Sequence, residues 1–369
     1  MVRLLETLQW VLDICGGSLP PVATPNISPE KSASGEDPLR HWRGATCLQP
    51  ITGEGWKSTI RVRMLHAASR KKILERAKRA MTSTSTNEKN HPRAFYDPSI
   101  DGLPISQEDL AYTLAAFSYS PLYCLPKLGN RYDKQGAEAW IALWRHVGWY
   151  LGISEDILRT HFTSFERAEK FSCTCGQMLY LELCEEQMRC RMAPEPLQIM
   201  PPPTTAILGA IEGSTLGMQG SMEYRLAVSR YLLGDNVAPA LSLPPITLFR
   251  RAEIFIKLFV SLLPYFFGQS YSFVFPPRGR IWEKERGDLI LESLARTVRF
   301  RLGMRRSTFR IRTDEGAILE GVEREEAVSK DEIGMKIFTR RWIMLLGEMG
   351  VVLITTVMLC LMMVWYLFR

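Results

Sequence analysis

Three residues in the segment RVRMLHAASR are spaced to do chemistry together. Arg63, His66 and Arg70 occupy i, i+3 and i+7 of a helical register, within about 60° of one another around the axis. Two guanidiniums beside an imidazole disfavour the imidazolium, so the ring is expected to stay neutral. A neutral imidazole has a lone pair to offer a metal, and the flanking arginines suit carboxylates. The same spacing also fits a helix face bonded to structural acids, and the pattern alone leaves both readings open.

The other candidates are weaker. His41 and His91 fall in loops and His161 opens an irregular stretch, so each is expected to be solvated. His146, in LWRHVGWYLGI, sits among Trp140, Trp144 and Trp149 and reads as a buried, hydrogen-bonded core histidine, with metal ligation the alternative. Cys173, Cys175, Cys184 and Cys190 fit no common zinc spacing, and a helical reading scatters them. The eight cysteines show no regular pairing and read as reduced thiols. GxGxxG, GxxxxGK[ST], HExxH and GxSxG are all missing from the sequence, which removes the simplest dinucleotide, P-loop, zinc-protease and hydrolase readings.

The elements that must position these residues are helical. Amphipathic patterns cover residues 1–15, 58–81, 134–151, 154–170, 176–191, 222–233, 246–263 and 283–303, and Ser106 followed by Asp109 caps a further helix beginning DLAYTLAAFSY. Strand-like alternation is confined to Phe309–Arg312. Residues 20–54 are rich in Pro, Ser and Thr and lack any period; TSTSTNEKNHPR reads as a surface loop. The 369 residues, 46% hydrophobic, can form a large core, and no internal repeat is visible. A net charge of +7 is modest for that length. The arginine-rich, acid-free stretch 296–312 reads as a solvated face or a contact for anionic headgroups. With no recognition module beside it, nucleic acid is not expected as a partner.

Met349–Phe368 runs 20 residues without a formal charge. A helix of that length spans about 30 Å, the thickness of a bilayer's hydrocarbon core. Lys336, Arg340 and Arg341 precede the span and only Arg369 follows it, so a single-pass tail anchor with the preceding residues in the cytosol is expected. The apolar segment 246–267 carries Arg250, Arg251, Glu253 and Lys257 and is a poor spanning helix. Burial is the favoured reading for it, and a position in the membrane interface the alternative.

GWKSTIRVRMLHAASR, LPISQEDLAYTLAAFSYSPLYCLPKLG and EAWIALWRHVGWYLGI, in that order, resemble the rubber oxygenases (latex-clearing proteins) and the fungal ER-bound oxygenase of mycophenolic acid biosynthesis. RYLLGDNVAPALSLPP and LLPYFFGQSY extend the likeness to about residue 275. The family motif R-x-x-H-x-x-x-R is filled by Arg63, His66 and Arg70. The resemblance implies an all-α, single globin-like domain binding haem b, with His66 the iron ligand and Arg63 and Arg70 on the haem carboxylates. It also implies a haem-pocket role for Thr113 and dioxygen-dependent oxidation of a lipophilic substrate, in relatives the cleavage of isoprenoid C=C bonds.

The departures bear on activity. The family's distal R-x-x-K-T is matched by Arg3-Leu4-Leu5-Glu6-Thr7, with Glu6 in place of lysine and 60 residues between Glu6 and His66. An insertion or a retained intron between about Val22 and Ile51 is the expected source of the excess, and an N-terminal helix usual in the family is expected to be absent, leaving 1–19 as a truncated distal segment. The implied organisation is an N-terminal helix at 1–19, an irregular insertion at 20–54, an oxygenase-like catalytic domain at 55–335 and a membrane anchor at 346–368. Within it Arg3 and Thr7 would hydrogen-bond oxygen and Glu6 serve as a base, at the cytosolic face of the endoplasmic reticulum. The rival expectation is a catalytically impaired haem-binding or haem-free membrane-anchored scaffold.

Overall fold

Ser106 shows how this sequence sets the ends of its helices. In the computed structural model the Asp109 N–H donates to the Ser106 hydroxyl at 3.1 Å, and the Ser106 N–H donates to the Asp109 carboxylate at 2.8 Å. That reciprocal capping box starts a helix on the next residue, as its sequence signature predicts. The structure describes residues 2–17, 44–83, 96–192, 208, 221–239, 241–302 and 332–368. Most of the 20–54 segment, His41, His91 and the Phe309–Arg312 strand expectation lie outside those residues.

Among the described residues the regular structure is all helical, with no strand, as expected. In chain order the helices are α1 (Val2–Ile14), α2 (Glu54–Ser83), α3 (Pro98–Asp101), α4 (Gln107–Lys127), α5 (Lys134–Leu151), α6 (Glu155–His161), α7 (Phe165–Met192), α8 (Met222–Leu233), α9 (Leu248–Val274), α10 (Pro276–Arg301) and α11 (Glu332–Leu367), with a 3-10 turn at Gly44–Leu48. The chain divides into two compact units. The described residues of the first lie in Leu48–Arg251, and those of the second in Val2–Cys47, Ala252–Arg306 and Glu323–Arg369.

In the first unit α4 and α5 carry the core. Leu110, Leu114 and Leu122 of α4 and Ile141, Trp144, Val147 and Leu151 of α5 recur at helical spacing and are buried, with Trp144 wholly so. Phe117 stacks on Trp144 with ring centroids 5.2 Å apart. The side chain of Asp133 caps α5 by accepting the Gly136 N–H at 2.7 Å. The expected helices at 154–170 and 176–191 are regrouped. Buried Phe162 interrupts the first, Ser164 and the Glu138 carboxylate take the N–H groups of Arg167 and Phe165, and α7 then runs unbroken to Met192.

In the second unit α1 packs Leu8 and Leu12 on Leu291, Ala295 and Val298 of α10. The described part of α9 in this unit, α10 and α11 share a cluster of Phe267, Trp282, Leu289 and Leu345. Segment 246–267 departs from the favoured expectation of a buried helix. Within α9, Phe255, Ile256, Phe259, Val260 and Phe266 are all at least half exposed. Both α9 and Gly334–Leu367 of α11 are long and apolar enough to cross a membrane.

Candidate functional site

His66 lies in the middle of α2, half-buried, and its Nδ1 is buried with no hydrogen-bond partner. Burial first, and the Arg70 guanidinium second, hold the imidazole below its ordinary pKa of 6.5, so the ring is neutral at physiological pH. A neutral ring with a bare nitrogen has the donor chemistry of a metal ligand. Among the described residues no group of three or more His, Cys, Asp and Glu side chains gathers as a multi-residue metal site.

The two motif arginines, as placed, hold backbone. Arg63 Nη1 donates to the Tyr150 carbonyl at 3.3 Å, and its guanidinium lies against Gly152, which closes α5 in the left-handed region at φ 89° and ψ 27°. A Cβ at Gly152 would stand 2.9 Å from Arg63 Cζ, so the backbone favours glycine there and any other residue would displace the guanidinium. Arg70 Nε donates to the Pro104 carbonyl at 3.0 Å, and Arg70 Nη2 donates to the Ile105 carbonyl. Ile105 is a β-branched residue at φ 55°, a strained conformation that Arg70 pins just before the α4 cap. Gln107 joins the two ends. Its amide donates to the Gly152 carbonyl at 3.0 Å and accepts the Ser154 N–H at 2.8 Å. Arg63, Arg70 and Gln107 thus form a clasp that ties the histidine's helix to the end of α5 and the start of α4.

A cavity of about 560 Å³ opens beside this clasp, lined by Trp56, Ile60, Arg63, Trp149, Tyr150 and Glu155 among others. A second, of about 470 Å³, shares Trp149 and Glu155 and adds Arg145, His146 and Arg159. His66 lines neither cavity, being turned roughly 60° around α2 from Arg63. Thr113 is exposed on α4.

Arg3, Glu6 and Thr7 belong to the second unit, on α1. Arg3 Nη1 donates to Glu6 Oε2 at 2.9 Å, and Thr7 donates its hydroxyl proton to the Arg3 carbonyl at 2.9 Å. Glu6 is buried, whereas Arg3 and Thr7 are exposed. The would-be base is therefore an ion-paired carboxylate, and the threonine hydroxyl serves its own helix.

Two expectations about histidines are corrected. His146 is exposed rather than a core residue, because Trp144 and Val147 occupy the inward face of α5 and His146 points the other way. Its ring meets Tyr150 edge-on at 4.6 Å and stacks near Trp149 at 6.4 Å. His161 is half-buried at the end of α6 against Phe171, with ring centroids 4.6 Å apart. Sequence reasoning missed Gln107, Trp149 and Gly152. Only Gly152 carried a signal, a glycine closing an apolar helical run.

Residues 1–263 match the family described as ER-bound oxygenase mpaB/B'/Rubber oxygenase, catalytic domain, and the chain belongs to that family of oxygenases. No curated protein and no solved structure matches it. The matched stretch includes both Arg63–Arg70 and Arg3–Thr7 and ends within α9, before α10 and α11 begin.

Proposed function

We propose that this chain is a membrane-anchored, haem b-dependent oxygenase that uses dioxygen on a lipophilic substrate of the isoprenoid or terpenoid kind. The observation that carries this reading is the His66 imidazole: neutral, with a buried bare nitrogen, in R-x-x-H-x-x-x-R of an oxygenase family. His66 would hold the iron, and the haem would supply the dioxygen-activating chemistry that no side chain offers alone. Arg63, Arg70 and Gln107 keep α2 in register with α4 and α5, which fixes where the imidazole stands. Trp56, Trp149 and Tyr150 give the nearby cavity an aromatic wall suited to an apolar chain. α11 would span the membrane of the endoplasmic reticulum with the catalytic part cytosolic, Lys336, Arg340 and Arg341 preceding the span. An anchor of this kind keeps the site near substrates that partition into lipid.

Absorption spectroscopy of the full chain in detergent tests the haem. A Soret band that shifts on reduction and vanishes in His66→Ala is expected; a folded, colourless protein from haem-replete cells would refute it. A second reading, a haem-binding scaffold without catalysis, is favoured by the mutual satisfaction of Arg3, Glu6 and Thr7. Oxygen consumption with carbonyl trapping on isoprenoids, in aerobic against anaerobic incubations, separates the two.

A further inference from the structure

We propose that the turn between α9 and α10 is a second membrane contact, an aromatic tip that dips into the bilayer interface beside α11; this rests on α11 being the anchor. The tip reads Phe273-Val274-Phe275-Pro276-Pro277-Arg278-Gly279-Arg280. Phe273 is 87% exposed, Val274 62% and Phe275 55%, although the Phe275 ring also meets Tyr271 at 5.8 Å. Three adjacent large apolar side chains at the end of a hairpin are thus more than half exposed.

What covers them follows from the register of α11. Phe267 packs with Leu345, Tyr271 donates its hydroxyl proton to Glu348 at 2.8 Å, and Arg278 holds the same carboxylate with Nε at 2.8 Å. The α9 and α11 helices therefore run in the same direction through this cluster, and continuing the offset places Val274 level with about Val351. Glu348 is the last charge before the apolar run, and from Leu353 onward every described side chain of α11 is exposed. The tip thus stands at the level where α11 leaves the folded body. In an anchored protein that level is the headgroup region, where aromatic rings and arginines are favoured together.

The hairpin is stiff enough to present the tip. A Cβ at Gly279 would lie 2.3 Å from Ser272 Cα, so the two helices touch backbone to backbone just above the turn. The same closeness limits how far the hairpin descends. Carrying α9 across the bilayer would bring Arg278, Arg280, Lys284 and Arg286 of α10 with it, and each charge at the bilayer centre is costly. An interfacial depth instead buries the rings and leaves Arg280 at the phosphates.

Photo-crosslinking of the full chain in phospholipid nanodiscs tests this, with p-benzoylphenylalanine replacing one residue at a time. Lipid adducts are expected in Phe273→p-benzoylphenylalanine and Met358→p-benzoylphenylalanine. None is expected in Phe300→p-benzoylphenylalanine, an exposed aromatic position at the far end of α10. Adducts at position 358 but not at 273 overturn the tip and leave the anchor standing. Silence at both positions overturns the anchor and the tip with it. Equal adducts at 273 and 300 overturn a level set by the tip.

Discussion

Arg63 and Gly152 form a contact whose strength can be measured from either side. Replacing Gly152 with Ala forces an L-residue into the left-handed region at φ 89°, which costs about 1–2 kcal/mol. It also sets a methyl group 2.9 Å from Arg63 Cζ, so the guanidinium must shift, and its already long bond to the Tyr150 carbonyl is the contact put at risk. That hydrogen bond is long, at 3.3 Å, and Arg63 is exposed, so its net worth is at the low end of the usual range, about 0.5–1 kcal/mol. The sum for Gly152→Ala is about 2 kcal/mol. For a body the size of the first unit that lowers the thermal midpoint by about 4–8 °C. In an Arg63→Met background the guanidinium is gone and the same substitution retains only the backbone part. The cycle should therefore show a coupling of about 0.5–1 kcal/mol, read as a smaller drop in midpoint by near-UV circular dichroism in detergent. An equal drop in both backgrounds would refute the clasp.

His66 is depressed by burial and by Arg70, so the unfolded chain binds a proton more readily than the folded one between 6.5 and the folded value. Stability from this group is complete above pH 6.5 and is lost as pH falls through that window. Denaturation at stepped pH should show the slope in the parent chain and its loss in His66→Gln, and an unchanged slope would contradict the assignment. Burial, then Cys47, pushes the Cys15 thiol up to about 11. At pH 8 iodoacetamide should modify exposed Cys173 well before Cys15, with the difference disappearing in denaturant; early labelling of Cys15 in the native protein would count against its burial. Replacing Glu6 by Lys sets a second cation one turn from Arg3 on the docked side of α1. The loss should be larger than for Glu6→Gln, by about 1–2 kcal/mol, since Arg3 remains half-exposed. The reverse order of thermal midpoints would show that the pair does not hold α1.

Local chemistry was legible where it ends a helix. The Ser106 cap and the bounds of α5 were read there, while the Asp133 cap that starts α5 was not. The break between α6 and α7 was harder because the apolar period continues through it, and only the Ser164 cap and the buried Phe162 interrupt the ladder. His146 was misplaced by counting its aromatic neighbours along the chain. Helical phase sets it 200° from Trp144, away from the core. Exposure of α9 was beyond a reading of its own residues, since an apolar run looks the same whether protein or lipid is to cover it. The motif arginines show the same boundary. Their spacing along α2 is plain, but their carbonyl partners lie 87, 34 and 35 residues away, and no pattern in α2 points to them.

Those partners also separate the roles of the two arginines. Arg70 holds two carbonyls and with them the strained Ile105, so moving it would release the start of α4. Arg63 holds one carbonyl through a long bond beside the larger cavity. A carboxylate entering that cavity would offer Arg63 a charge-assisted, bidentate partner, roughly twice as strong as a neutral carbonyl bond. Exchange would therefore cost less at Arg63, which has one long bond to give up, than at Arg70, which has two carbonyls. The spacing that looks symmetric in sequence places a two-carbonyl fastening on one side of His66 and a single, longer one on the other. A ligand carboxylate would accordingly be met from the Arg63 side, near Trp149, while burial first and Arg70 second hold the imidazole neutral.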